Sequence, residues 1–431
     1  MQQLKTINRQ QFNTLAWAVF LILVLFAAAL PGIEVPGIGS LYPFRICLPF
    51  VVLFVLINDQ KYGAYSPVLI RVLLFFALML FFGCLTMFWA QEKLTAVKQL
   101  IGYVYGFFLV IVLFRLIRTQ RSFYKMMMLV AWIMSVILLM GIFEGFTGKY
   151  FFAEGWEDLL PYVSRPYIHY PVVCFGNPND MVFAAFAFMP FINLSANALY
   201  GERHNIFCSC FKIAYFILYC IVTVLASCRM GILLIPLAVV VNIFLAKRST
   251  LKTFAVFAIF ALFMIGLILK WNSVILFFEQ DERVKIWMNI LRNAEYYFFL
   301  GTGPGNSFVA IEGIVYEGRL INPHFWFLEI LAEFGIIVFI ALMVGYFSLM
   351  RAALCNARKA ANEKKQNLAK AAFRFLLYFF PMSIMSSSLS VSPFFWLIVA
   401  IVLLAVELSG KNFNSGVMHG NVADGDELCR K

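Results

Sequence analysis

The chain has 431 residues, of which 63% are hydrophobic and only 13% charged, with a formal net charge of +12. Soluble domains average about 25% charged and 45–50% apolar residues, and the mean hydropathy here is +0.86, so the composition excludes a soluble globular protein and specifies a polytopic membrane protein. The positive balance is therefore read for membrane topology, and no nucleic-acid partner is expected.

Apolar stretches long enough to cross a ~30 Å hydrocarbon layer are predicted at 14–30, 43–57, 68–90, 95–117, 122–146, 172–197, 206–226, 230–246, 251–271, 324–349, 373–388 and 390–408. The first, "TLAWAVFLILVLFAAAL", follows a short tail bearing Lys5 and Arg9 and resembles a signal sequence. Its length and the spans behind it predict an uncleaved first helix. The expected fold is all-α, a single integral membrane domain over 1–431 with about 12 spans and no soluble domain or internal repeat. The nine cysteines form no C-x-x-C pair; most, such as Cys47, Cys84 and Cys220, sit in apolar runs, where small buried hydrophobes are expected.

Lys and Arg set the orientation. With the N-terminus inside, roughly two-thirds of the 34 basic residues fall in inner segments, among them the loop "RAALCNARKAANEKKQNLAKAAFR". Most Asp and Glu fall outside. This predicts both termini in the cytoplasm, residues 409–431 as a short cytoplasmic tail, and two long outer segments at 147–171 and 272–323. Within the second, 281–299 reads as a helix lying on the surface, and the chemistry is expected to face outward.

The candidate chemical groups gather around those outer segments. In "INPHFWFLEILAEFG", Asn322 can cap a helix and Pro323 suits its first position, which places His324 in the first turn of the tenth span. The helix dipole and desolvation there disfavour imidazolium, which suits a general base; an interfacial histidine touching headgroups is the simpler role. Glu329 and Glu333 share a helix face. Glu329 can orient a group, whereas Glu333 is expected to pack against a polar group of another helix. Arg229, in "LASCRMGIL", and Arg283, in "RVKIW", present planar donor forks suited to phosphate. Snorkelling to lipid phosphates and a solvated charge are their respective plain alternatives.

"GTGPGNSF" lacks the Lys-Ser/Thr ending of a nucleotide loop. Its Gly303, Gly305 and Asn306 suit a tight turn or close backbone approach to a ligand. "FGNPNDM" breaks the start of the sixth span with Asn179 and Asp180, either as a helix cap or as polar groups beside a cavity. No outer Asp-x-Asp and no His/Cys cluster has metal spacing, so neither metal nor cofactor is expected.

Taken together, "NPND", "SCRMG", "RVKIW", "FFLGTGPGNSF" and "NPHFWFLEILAEFGI", in that order over residues 175–340, resemble the bacterial O-antigen ligase/polymerase superfamily. These are membrane glycosyltransferases that use polyprenyl-linked sugars. The resemblance implies an undecaprenyl-diphosphate-linked oligosaccharide as donor and a glycan or lipid-linked hydroxyl as acceptor, with membrane lipids as surroundings. It implies a bacterial inner-membrane protein with its site on the periplasmic or extracellular face. Arg229 and Arg283 would hold the diphosphate, His324 would serve as base, and transfer would be inverting and metal-independent. Two features depart from the family pattern: Phe325 stands where a polar residue commonly follows the histidine, and no periplasmic domain is appended. The alternative from another class is a lipid-linked oligosaccharide flippase or twelve-span transporter. The loop "NDQKYGAYSP" lacks the signature of the major-facilitator class. Polymerase and ligase are not separable from the sequence.

Overall fold

The computed structural model describes residues 16–27, 33–35, 39–57, 66–152, 169–175, 177–200, 206–245, 282–297, 299–311, 323–360, 362–386 and 389–410. In chain order the helices are α1 (Ala16–Leu25), α2 (Pro43–Ile57), α3 (Pro67–Thr86), α4 (Lys93–Leu116), α5 (Gln120–Thr147), α6 (Pro178–Tyr200), α7 (Ile206–Leu225) and α8 (Arg229–Leu245). They continue with α9 (Glu282–Arg292), α10 (Ala294–Tyr297), α11 (Trp326–Lys359), α12 (Glu363–Met382) and α13 (Pro393–Gly410). Among the described residues seven helices are long and apolar enough to cross a membrane, and three shorter apolar helices accompany them. The protein is a multi-pass membrane protein. Each predicted span on described residues overlaps a helix, but α1, α2 and α8 are shorter than a span and α12 is not among the helices apolar enough to cross; the span at 251–271 lies outside the described residues, as do 411–431 of the tail. The all-helical expectation is corrected in one place: Ile33–Val35 and Gly39–Leu41 pair as a small antiparallel hairpin, Ile33 opposite Leu41.

Helix ends follow local chemistry. Ser66 accepts from the Leu69 amide at 3.1 Å with Pro67 at the first position of α3, and Thr119 accepts from the Ser122 amide at 3.1 Å to open α5. α12 is the central post: it packs against α11, α13, α6 and α8, while α4 packs against α13 and α3 against α11. In a lipid-filled exterior this apolar packing is not driven by water exclusion between helices, so close van der Waals fit and internal hydrogen bonds hold the bundle.

α11 is broken. Gly335 has φ 76° and ψ 179° inside it, a region open essentially to glycine alone. Such a break strips the preceding carbonyls of their usual partners one turn ahead. Thr302 and Gly303 supply the replacements, donating their amides to the Ala332 and Glu333 carbonyls at 2.8 and 3.0 Å. The two backbones touch so closely that a Cβ on Gly301 would lie 2.2 Å from the Glu333 carbonyl oxygen, and one on Gly335 would lie 2.4 Å from that of Phe299. Glycine is required at both positions.

A second tie fixes the start of α6. Glu144, fully buried near the end of α5, accepts from the Phe151, Val172 and Val173 amides at 3.1, 2.9 and 2.8 Å. The described ends of the α5–α6 connection are thereby clamped to the bundle. Asn177 then caps α6 by accepting from the Asn179 amide at 2.9 Å.

Candidate active site

Arg283 and Trp287 are one turn apart on α9 and so share a face. The helix is seated by Ile286 and Ile290, both fully buried against Tyr297, Ala310, Ile311 and Ala332. So seated, Trp287 Nε1 donates to the Pro323 carbonyl at 2.7 Å, and its ring lies 5.5 Å from that of Phe325. Arg283 Nη1 donates to the Ile384 carbonyl at 3.4 Å. The Arg-x-x-x-Trp spacing therefore sets a guanidinium beside the Pro323–Phe325 corner, which carries His324.

The sequence placed His324 in the first turn of a helix; the structure corrects this. α11 starts at Trp326, with Phe325 at its cap position, and His324 has a left-handed φ of 49°. The corner is gripped on both sides. Trp287 holds the Pro323 carbonyl, while Trp326 donates its amide to the Ser383 carbonyl at 3.1 Å and its Nε1 to Ser390 Oγ at 2.6 Å. A non-glycine residue in this conformation costs about 1–3 kcal/mol and persists where its surroundings over-determine it, most often at functional sites.

His324 Nδ1 is buried without a hydrogen-bond partner among the described residues. Burial, and then the Arg283 cation, lower the imidazole from its ordinary value to about 4. The ring is neutral at physiological pH and available as a proton acceptor.

Asp180 and the α7–α8 break complete the cluster. Asp180 is buried at the start of α6 and accepts from Ser386 Oγ, two residues past Ile384. Cys228 is buried ahead of α8, with its thiol against the Met230 and Gly231 amides and within electrostatic reach of Arg283 and Asp180. Burial raises that thiol above its ordinary value despite the amides and Arg283, so it is protonated and unsuited to act as a nucleophile. Arg229 follows as the exposed first residue of α8, after Ser227 turns the chain with φ 51°.

The glycine-rich turn is used elsewhere. Gly303 packs on Ala90 and Gly305 on Thr95, at 2.9 Å from where a Cβ would stand. Asn306 Oδ1 accepts from the Glu92 amide at 2.7 Å, and Trp89 Nε1 donates to the Gly301 carbonyl at 2.9 Å. These residues lock the α3–α4 turn to the broken α11. Glu333 lies in the same region: Tyr103 of α4 donates to it at 3.4 Å, and the Gly305 amide and Ser307 Oγ are within bonding reach. This is the inter-helix polar contact expected of it. Glu329, also buried, faces the same Tyr103–Glu333 group.

The structure thus brings Asp180, Cys228, Arg283 and His324 together, sets Arg229 beside them in the chain, and directs Gly303, Gly305, Asn306 and Glu329 to a packing junction. Asn179 contributes its amide to the α6 cap. Sequence reasoning assigned no role to Trp287, Ser383, Ser386 or Ser390. The run "SIMSSSLSVS" inside an apolar stretch was the available signal for the serines.

Residues 214–343 match the family model described as O-Antigen ligase, a segment that contains Arg229, Arg283 and His324. The chain is also similar to the teichuronic acid biosynthesis protein TuaE of Bacillus subtilis (strain 168), 25% identical over 364 residues that cover 78% of this chain and 72% of that protein. In its motifs, its matched segment at 214–343 and its helical bundle, this chain is similar to the O-antigen ligase/polymerase superfamily.

Proposed function

We propose that the protein is a membrane glycosyltransferase of surface-polysaccharide assembly, which moves an oligosaccharide or glycan chain from undecaprenyl diphosphate to an acceptor hydroxyl. The observation that carries this reading is a neutral His324 held beside the Arg283 guanidinium, two residues before Trp326, which lines an apolar groove. That groove, a cavity of about 790 Å³, runs between α3, α11, α12 and α13 from Trp326 and Ile330 to Arg71 and Val406. Trp326 is two residues from His324, so a polyprenyl chain in the groove would bring its diphosphate to the histidine corner. The name of the Bacillus relative, a teichuronic acid biosynthesis protein, supports a surface polysaccharide as the product.

The chemistry follows from the groups present. The acceptor oxygen attacks the anomeric carbon as its proton passes to His324. The bond from that carbon to the diphosphate breaks, and Arg283 with Arg229 stabilises the charge the leaving group gains. Direct displacement inverts the anomeric centre, and the guanidiniums supply the charge neutralisation that a metal provides in other phosphate-handling sites. The charge pattern of the loops supports a twelve-span arrangement in a bacterial inner membrane with the site on the outer face. A flippase is less well served, because its charges would line a central passage, whereas this groove is lined almost wholly by apolar side chains with Arg71 at one end.

Arg229→Lys and Arg283→Lys test the reading, since each keeps the charge and loses the bidentate fork. Transfer from a synthetic undecaprenyl-diphosphate oligosaccharide, with EDTA present, should fall strongly in both purified variants while they remain folded. Near-normal turnover and donor affinity in both would overturn the clamp.

A further inference from the structure

We propose that Asp180 and Ser386 form a strut that positions Arg283 for the donor diphosphate, with Ser386 acting through the Ile384 carbonyl two residues before it. The proposal rests on the clamp reading above and names residues that reading leaves without a role.

The α12–α13 turn is the meeting point. Its own backbone is tightly wound: Ser383 donates to the Phe379 carbonyl at 2.8 Å, Ile384 to Pro381 at 3.3 Å and Met385 to Met382 at 2.9 Å. Three of its polar groups reach outward to other segments. The Ser383 carbonyl accepts from Trp326 next to the His324 corner, the Ile384 carbonyl accepts from Arg283, and Ser386 Oγ donates to Asp180. Four consecutive residues therefore join the base-bearing corner, the diphosphate-facing arginine and α6.

The far end of the strut is rigid. Asp180 sits in the first turn of α6, whose start is capped by Asn177. The strap ahead of it is tied at Val172 and Val173 to buried Glu144. Asp180 is 7% exposed and Ser386 fully buried, so their bond does not compete with solvent. Anchoring at this point fixes the height of the Ile384 carbonyl, and that carbonyl fixes one Nη of Arg283. A guanidinium held by one nitrogen meets an anion with its fork already set. An unanchored one must first lose rotamer freedom, which weakens binding by about 3- to 10-fold.

The test uses the purified full chain with the synthetic undecaprenyl-diphosphate oligosaccharide, reading donor KM, kcat and the acidic limb of the pH profile. Ser386→Ala should raise donor KM by about 3- to 10-fold, with kcat holding its wild-type value. The acidic limb of kcat/KM, set first by the burial of His324, should stay well below that of an ordinary histidine. Asp180→Ala should raise donor KM by at least as much as Ser386→Ala. Asp180→Asn should restore part of the loss, since its amide oxygen still accepts from Ser386. In an Arg283→Lys background Ser386→Ala should add nothing, because both changes remove the same fork. Should Asp180→Ala fail to fold, Ser386→Ala and Asp180→Asn still decide the matter. A donor KM raised by Arg283→Lys but untouched by Ser386→Ala overturns the strut alone, as do penalties that multiply in the double variant. Asn at 180 as damaging as Ala would overturn it too, by showing that charge and not hydrogen-bond acceptance is used. If Arg283→Lys itself leaves donor KM unchanged, the clamp reading fails and takes the strut with it.

Discussion

Acidification should leave the free enzyme competent well below the pH at which an ordinary histidine protonates. An unperturbed imidazole titrates near pH 6.5, whereas His324 is pushed down to about 4, by burial first and by Arg283 second. At 1.36 kcal/mol per pH unit, the difference disfavours imidazolium by about 3 kcal/mol. The sign follows directly: a lowered value keeps the neutral base present at higher pH and loses it only as pH falls through about 4. Donor binding changes the balance, because the diphosphate brings negative charge to Arg283 and offsets the second cause. The acidic limb of kcat/KM, which reports the free enzyme, should therefore lie near pH 4, and that of kcat, which reports the complex, should lie higher. Initial-rate profiles from about pH 2.5 to 8 on purified protein give both. A kcat/KM limb at or above 6.5, or a kcat limb below that of kcat/KM, would refute the reasoning.

Three substitutions probe other parts of the account. Trp287→Phe keeps the ring but loses its bond to the Pro323 carbonyl, so transfer should fall by up to about tenfold, as a lost hydrogen bond of about 0.5–1.5 kcal/mol dictates; unchanged kinetics would free the corner from that anchor. Gly335→Ala should destabilise the fold by at least about 1–3 kcal/mol, read as a lower melting temperature in detergent, since its Cβ meets the Phe299 carbonyl. A wild-type melting temperature would contradict the break in α11. Gly345→Trp enters the apolar groove, where an added Cβ meets no atom within 4 Å. Donor KM should rise for a long polyprenyl chain and hold for a short one, and equal effects on both would remove the lipid chain from the groove.

Hydropathy carried most of the fold because each span needs its own apolar length, and α2 at Pro43–Ile57 coincides with its predicted span. The break at Gly335 was not legible, since a lone glycine in an apolar helix reads as ordinary. Only the approach of Gly301, distant in the chain, shows what its missing side chain permits. The hairpin at Ile33–Val35 was also passed over, its short apolar pieces being too brief for a periodic signal. At the site, Arg283 and His324 were legible because charges are costly in so greasy a chain. The Asp180–Ser386 contact joins residues 206 apart, and no local pattern announces it. The glycine-rich turn was legible as a turn, and its partner was not. A tight turn or close backbone approach to a ligand was expected, and the structure shows the turn closing on α11 and the α3–α4 turn.

The central claim is that His324 takes the acceptor proton while the arginines hold the donor. The most direct measurement is single-turnover transfer by His324→Ala, paired with donor binding, using the synthetic undecaprenyl-diphosphate oligosaccharide and EDTA in the same samples. Turnover should fall on the order of 10²–10⁴-fold with donor affinity little changed. Full turnover in His324→Ala, or lost donor binding with the chemical step intact, would contradict the assignment.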